Sequence, residues 1–293
     1  MPTLLEGKKV ALSIHHTLAN QVHDGVMQGL SRPHLAIILV GKDPASHTYV
    51  AHKVKACKDI GIATTTIREE DSIDQATLIH KIQGLNANPE IHGMIVQLPL
   101  PPHISTATII EAVDPKKDVD GLHPFNYGCI AYQAPGHVPA TPLGISLLLQ
   151  HYQVATAGKH CVIVGRGTTV GTPLSILMSR NAYPGNATVT ICHSHTQDLA
   201  TITRQADILV AAIGKPKLIT ADMIKPGVTV IDVGLTRVPD PTNQKGYTLQ
   251  GDVDFETVSP LCQYITPVPG GVGLMTIAAL LNNTVHAWLS QGM

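Results

Sequence analysis

Tyr49 and Lys53 stand four residues apart in the stretch Ser46-His47-Thr48-Tyr49-Val50-Ala51-His52-Lys53. On a helix that spacing puts both on one face. A phenol beside an ammonium is a proton-handling pair: burial would lower the lysine's pKa toward the working pH, and the tyrosine could hold the amine by a hydrogen bond. A solvated lysine next to a half-buried tyrosine explains the same spacing, and for the pair taken alone that plainer reading comes first. The local context is a buried strand, a turn and a helix. The apolar run over residues 35–40 is followed by the breaker Gly41-Lys42-Asp43-Pro44 and then by the pair.

Two further side chains are expected at the same sheet edge. Residues 92–97 read as a short buried strand that runs into Gln97-Leu98-Pro99-Leu100-Pro101-Pro102. Proline cannot donate to a ladder, so the strand stops and leaves Gln97 at its carboxyl end. Open α/β sheets bind ligands at that edge. Farther on comes Asp114-Pro115-Lys116-Lys117-Asp118-Val119-Asp120-Gly121. Its charges suggest a solvated loop, which is the expectation for Asp118. Asp120, just before Gly121, is the candidate for a carboxylate turned inward to accept paired N–H groups of a ligand.

The second half of the chain offers backbone chemistry instead. Gly165, Gly167 and Gly171 are spaced G-x-G-x-x-x-G, one residue longer than the dinucleotide fingerprint. They follow a strand over 159–164 and open a helix, a context in which backbone N–H groups face a pyrophosphate. The next strand, 187–192, ends in Cys192-His193-Ser194-His195, without the acid that binds ribose hydroxyls in NAD enzymes. With Arg166 in the glycine loop, a 2′-phosphate is welcomed, so NADP is expected over NAD. A tight strand-helix turn with no ligand is the plain alternative. Near the end, Thr266-Pro267-Val268-Pro269-Gly270-Gly271-Val272-Gly273 leads into a helix over 274–289. Its prolines stiffen the entry and its glycines allow close approach by a ligand or the other domain, although it also reads simply as a helix start.

Alternating elements must position these groups. Val10, Ile14, Leu18, Val22, Val26 and Leu30 give an amphipathic helix over 8–30. A strand over 63–68, helices over 74–85 and 106–112, and a helix opening at Thr141-Pro142, with threonine as N-cap, follow. Further strands are expected at 207–212, 228–233 and near Tyr264-Ile265, with an edge piece at 248–251. This is an α/β chain with a mostly parallel sheet, and its second half has the rhythm of a doubly wound nucleotide-binding domain. A chain of 293 residues accommodates two domains, with the change placed near residue 140 and the last helix returning to the first.

Composition excludes several classes. Hydrophobic residues make up 44% and charged ones 14%, as in a folded globular protein. A net charge of −1 gives a nucleic-acid role no support. The first residues lack a signal-peptide apolar core, and no run approaches the ~18–20 apolar residues of a membrane span. The five cysteines are scattered and never in Cys-x-x-Cys spacing, as for reduced thiols of a cytosolic protein. His15-His16 and His193-x-His195 lack companion ligands, so no metal site is expected.

Five motifs in order resemble the bifunctional methylenetetrahydrofolate dehydrogenase/methenyltetrahydrofolate cyclohydrolase family. They are Val40-Gly41-x-Asp43-Pro44-Ala45-Ser46-x-x-Tyr49-Val50-x-x-Lys53, Gln97-Leu98-Pro99-Leu100-Pro101, Lys117-Asp118-Val119-Asp120-Gly121, Thr141-Pro142-x-Gly144, and Pro267-Val268-Pro269-Gly270-Gly271-Val272-Gly273-x-Met275-Thr276. The resemblance implies two α/β domains flanking a cleft: a folate-binding catalytic domain of residues 1–140 and 272–293, and a Rossmann-like NADP-binding domain of residues 141–271. It implies oxidation of 5,10-methylenetetrahydrofolate with NADP⁺ and hydrolysis of the methenyl product to 10-formyltetrahydrofolate, in one-carbon metabolism and purine biosynthesis. Lys53 would be the key catalytic group, with Tyr49 and Gln97 as partners. Tyr49, Asp120, Pro269, Gly270 and Gly271 would bind the substrate, with Asp120 on the pterin. Gly165, Arg166, Gly167, Thr168, Ser194 and Gly214 would bind NADP, Arg166 and Ser194 meeting its 2′-phosphate.

A cytoplasmic homodimer is implied too, with a small-molecule folate substrate and no nucleic-acid or membrane partner. The chain departs from the family pattern at Leu274, where proline is usual, and at Gly167, where serine is common. Two other readings are weighed against this one. A shikimate- or amino-acid-type NADP dehydrogenase is disfavoured by the Gln97 and Asp120 motifs. An idle nucleotide-binding regulator is disfavoured by the intact set Tyr49, Lys53, Gln97 and Asp120. A dehydrogenase without effective cyclohydrolase uses the same lysine.

Overall fold

In the computed structural model, which describes residues 1–243 and 246–292, helix and strand alternate along nearly the whole chain. The order is β1 (Thr3–Leu4), α1 (Gly7–Met27), β2 (His34–Val40), α2 (Pro44–Asp59), β3 (Ala63–Glu69), α3 (Gln75–Ala87), β4 (Gly93–Val96), α4 (Thr106–Ala112) and α5 (Pro124–Tyr132). There follow α6 (Ala140–His151), β5 (His160–Val164), α7 (Gly171–Ser179), β6 (Thr188–Cys192), α8 (Leu199–Thr203), β7 (Ile208–Ala211) and β8 (Val228–Asp232). The chain ends with β9 (Thr236–Pro239), β10 (Tyr247–Gln250), α9 (Phe255–Val258), β11 (Cys262–Ile265) and α10 (Val272–Gly292). These elements divide into a first unit of residues 12–140 with 277–293 and a second of residues 1–11 with 141–276.

The first unit is built on a parallel sheet in the order β3-β2-β4. Residues 35–40 of β2 are all buried, as expected for a central parallel strand covered on both faces, and this is why the run is apolar without alternation. Ile38, Leu78, Ile82, Met94 and Ile109 pack together on one side. The C-terminal helix α10 completes this unit. Trp288 is fully buried and donates its indole N–H to Ser31 O at 2.7 Å, and Asn283 donates to Val119 O and Val138 O. By length and composition α10 could cross a membrane, yet Leu280, Leu281, Val285 and Trp288 are fully buried in the protein. It is a core helix.

The second unit carries six parallel strands in the order β1-β11-β8-β7-β5-β6. The strand order reverses at β5, which has β6 on one side and β7 on the other. Val162, Val164, Leu209, Val230 and Ile265 form its core. Three details differ from the sequence expectation. Residues 1–11 and 272–276 belong to this unit rather than to the first, residues 1–11 because Thr3 and Leu4 pair with Tyr264 and Ile265 at the sheet's edge. The piece near 248–251 is β10, which pairs with β9 in a separate antiparallel ribbon. And α6 begins at Ala140, so Thr141 lies inside the first turn, where its hydroxyl meets that of Thr276 at 3.0 Å instead of capping the helix.

Candidate active site and cofactor cradle

In the first unit, β2 ends at Gly41, whose φ of 81° turns the chain, and α2 begins at once. Asp43 caps it, accepting from Ser46 N at 2.7 Å. Two turns along, Lys53 is only 3% exposed. Its Nζ donates to Gln97 Oε1 at 3.1 Å and lies 4.7 Å from the centroid of the Tyr49 ring. Gln97 sits just past β4 and is fixed at both ends, its backbone N–H donating to Ile38 O and its side-chain N–H to Leu98 O. The tyrosine therefore presents its ring face to the ammonium, a cation–π contact, while the glutamine amide supplies a hydrogen bond.

Burial drives the Lys53 pKa down, and the negative charge of Asp120 works against that fall. Asp120 is thus within electrostatic reach of the amine. The stretch that carries it is not a solvated loop. Lys117 and Asp118 are both buried, because Met94 N donates to Lys117 O and Asp118 bridges to Met94, so the segment lies along the outer side of β4. Lys117 Nζ donates to the carbonyls of Leu85, Asn86 and Asn88. The Asp118 carboxylate accepts from Gly121 N, His123 N and Asn126 Nδ2. Asp118 thereby holds the turn in which Asp120 sits. Burial pushes its pKa up, against the hydrogen bonds from His123 and Asn126. An aspartate three residues before a glycine is a side-chain-to-backbone turn signal, and it was the available hint.

In the second unit the glycine loop leaves β5 where the strand order reverses. Gly165 has φ 123°, and a Cβ there would collide with Ala212 O. A Cβ on Gly171 would collide with Gly165 O. Both positions demand glycine. At Gly167 no atom lies within 4 Å of a built Cβ, and residues 166–169 are exposed. The helix that follows, α7, has no side-chain cap at Val170. Thr172 N donates to Gly167 O and position 173 is proline, so Gly171 N–H is the group at this helix start left for a ligand or water. The Arg166 guanidinium has no partner among the described residues.

Ser194 is exposed just beyond β6, in a turn that closes on itself as His193 N donates to Thr196 Oγ1 and His195 N to His193 Nδ1. No carboxylate stands at that strand end. Gly214 follows β7 on the other side of β5 with φ 72° and an open Cα face. Gly165, Arg166, Gly167, Thr168, Ser194 and Gly214 thus follow three adjacent strands at one carboxyl edge, a cradle that fits a dinucleotide with a 2′-phosphate. Pro269, Gly270 and Gly271 lie in this unit as well, between β11 and α10. Gly270 has φ 113° and its carbonyl accepts from Lys8 N. Gly271 packs with no room for a side chain against Pro267 O.

Residues 5–120 match the tetrahydrofolate dehydrogenase/cyclohydrolase catalytic domain, and residues 139–292 match the NAD(P)-binding domain of the same family. The chain belongs to the tetrahydrofolate dehydrogenase/cyclohydrolase family. Among its relatives, the bifunctional protein FolD of Amoebophilus asiaticus is 64% identical over 291 residues, covering 99% of this chain and 98% of that one. The bifunctional FolD of Campylobacter jejuni superposes with a TM-score of 0.93 at 43% identity over 99% of both chains. The FolD of Trypanosoma brucei, solved with NADP cofactor and an inhibitor, gives a TM-score of 0.93 at 37% identity, covering 99% of this chain and 98% of that one.

Within the family frame the two sequence departures have simple surroundings. Leu274 is itself exposed in the first turn of α10, where a helix tolerates proline and leucine alike. Gly167 leaves free the volume that a serine side chain would take.

Proposed function

We propose that Lys53, Tyr49, Gln97 and Asp120 are the folate-side machinery of an enzyme that oxidises 5,10-methylenetetrahydrofolate with NADP⁺ and hydrolyses the methenyl product to 10-formyltetrahydrofolate. The observation that carries this reading is the buried Lys53 amine, held at 3.1 Å by Gln97 and lowered in pKa by its burial. NADP⁺, when bound, supplies the hydride acceptor. That first step leaves a cationic, amidinium-like carbon and moves no proton, so the protein's task is to orient the folate.

Hydrolysis does need proton transfer. Water's oxygen bonds to the cationic carbon, one proton is released, and the other ends on the ring nitrogen as its bond to that carbon breaks. A neutral Lys53 amine takes one proton from the attacking water and passes it to the leaving nitrogen, while the hydroxyl proton left on the adduct goes to solvent as the carbonyl forms. Tyr49 keeps the amine in place with its ring. Asp120 accepts two N–H groups from the guanidine-like edge of the pterin, an Arg–carboxylate pairing with the roles exchanged. The backbone of Pro269, Gly270 and Gly271 admits the substrate closely. On the cofactor side Gly165, Gly167, Thr168 and Gly214 receive the dinucleotide, and Arg166 and Ser194 its 2′-phosphate.

The experiment follows absorbance as purified protein meets methylenetetrahydrofolate with NADP⁺ or NAD⁺. Reduced cofactor formed without persistent methenyl product is the expected trace. Methenyl product that accumulates and decays only at its spontaneous rate would remove the hydrolytic role from Lys53. The reading extends to a cytoplasmic homodimer serving one-carbon metabolism and purine biosynthesis. Light scattering should then give twice the 31.1 kDa chain mass, and the single mass would end that extension.

A further inference from the structure

Two aspartates of the second unit, outside every motif discussed so far, are buried without a cationic partner among the described residues. Asp232, at the end of β8, is 3% exposed and Asp252, just past β10, is fully buried. Backbone N–H groups take the place of a counter-ion. Asp252 Oδ2 accepts from Ile213 N at 2.6 Å and Gly214 N at 3.0 Å. Asp232 Oδ1 accepts from Gly234 N and Asp252 N, both at 2.9 Å, and its Oδ2 from Val253 N at 3.0 Å. Asp232 N in turn donates to Thr266 Oγ1 at 2.7 Å. A Cβ on Gly251 would strike the Asp232 carboxylate, so the two segments have no play between them.

We propose that Asp252, anchored by Asp232, is a positioning residue for the cofactor: its carboxylate sets the Ile213–Gly214 turn against the glycine loop. Two N–H donors converging on one oxygen fix the orientation of both peptide planes in that turn. The preceding carbonyl, Ala212 O, is the group that leaves no room for a side chain at Gly165. A slide of the turn would therefore displace the loop that holds the dinucleotide. The location also argues for this role. The segments tied together leave the carboxyl ends of β7, β8 and β11, the edge on which the cradle lies, and Gly214 keeps an open face there. The inference rests on the reading of Gly214 as a cofactor contact.

The test compares wild type with Asp252→Ala and Asp252→Asn. Asparagine can keep an oxygen where Oδ2 receives both N–H groups and put its NH₂ where Oδ1, which has no hydrogen-bond partner, now lies. Calorimetry gives the Kd for NADP⁺, steady-state kinetics the KM for each substrate, and hydrogen exchange by mass spectrometry the protection of residues 212–215. The expected result for alanine is faster exchange in that segment and at least a tenfold rise in Kd and KM for NADP⁺, with the folate KM within twofold. Asparagine should stay within threefold throughout.

Unchanged NADP⁺ affinity despite faster exchange would overturn the proposal. So would a fall of Tm with both KM values rising together, which is the mark of a role in folding alone. Wild-type protein provides a separate check should the alanine variant not fold. NADP⁺ that binds wild type without protecting residues 212–215 would refute the Gly214 reading, and with it the positioning role, before any variant is made.

Discussion

The two units place their working residues by the same topological rule and fill the place with opposite chemistry. In the first, β2 lies between β3 and β4; in the second, β5 lies between β6 and β7. In each, the segment leaving the strand where the order reverses carries the candidate site. After β2, helix α2 has its N-terminus satisfied by Asp43 and works through titratable side chains farther along. After β5, helix α7 has no side-chain cap, and its loop works through backbone groups exposed by glycine. A side-chain cap satisfies one of the orphan N–H groups at a helix start, and without it that group turns to the backbone, to water or to a ligand. The two sites thus differ in what they expose, titratable side chains after β2 and glycine backbone after β5, even where the topology is shared.

The strongest way to break this comparison is Lys53→Met. Hydrolysis should fall by about 10²–10⁴-fold, the usual contribution of a positioned acid–base group. NADP⁺ binding, which depends on the other unit, should survive. Stability should move the opposite way. Burial lowers the folded-state pKa of Lys53, so its contribution to stability is present above the ordinary lysine pKa and is lost as pH falls through the lowered one. At neutral pH the lysine therefore weakens the fold, and the methionine variant should melt a few degrees higher in calorimetry. A variant that hydrolyses at the wild-type rate would end the side-chain half of the comparison.

Gly165→Ala tests the backbone half. Its Cβ meets a carbonyl that cannot move aside, at a φ that side chains rarely adopt, so denaturant titration should show a loss of about 1–3 kcal/mol. NADP⁺ binding should fail with it. Gly167→Ala points into open space and should change apo stability by no more than about 0.5 kcal/mol. Equal losses at the two glycines would contradict the cradle geometry.

Arg166→Ala sharpens the contrast by removing the cradle's one charged side chain. A charge-assisted hydrogen bond to a phosphate contributes about 1.5–3 kcal/mol, roughly 10–100-fold in affinity. The Kd for NADP⁺ should rise by that factor and that for NAD⁺ hardly at all. The smallest effect expected is a displacement of the pH profile of kcat in Asp120→Asn, read at saturating folate because the variant also loses the carboxylate assigned to the pterin. Asp120 raises the Lys53 pKa against the stronger effect of burial. Without that charge the amine loses its proton at lower pH, so the rising limb of the hydrolysis profile should move to lower pH. A limb that stays in place would separate Asp120 from Lys53 electrically.

Several features could be read directly from the residues because they are local. Asp43-Pro44 opens α2, the four-residue step puts Tyr49 and Lys53 on one face, and the Leu98-Pro99 break fixes where β4 ends. The glycine spacing after a buried strand marked the tight turn between β5 and α7, since φ and close backbone approach are properties of the residue itself. Asp118 was misread for the converse reason. A carboxylate in a charged stretch is solvated by default, and only the bridge to Met94 and three donors from the turn and α5 make its burial tolerable.

The sequence alone determined the main alternation of strands and helices, the shared face of Tyr49 and Lys53 on α2, and the family to which the motifs point. These depend on periodicity and on individual residues' conformational limits, which act over a few positions. The elements β1, α5, β9 and the short α8 and α9 emerged only in the structure. Tertiary structure decided which charges are buried and what faces them. It put Lys53 against Gln97 and the Tyr49 ring, drew residues 1–11 to the edge of the second sheet, and set Asp232 and Asp252 among backbone donors. Burial and pairing are properties of distant segments meeting, and a charge's cost in the interior is settled only by the groups brought to it there.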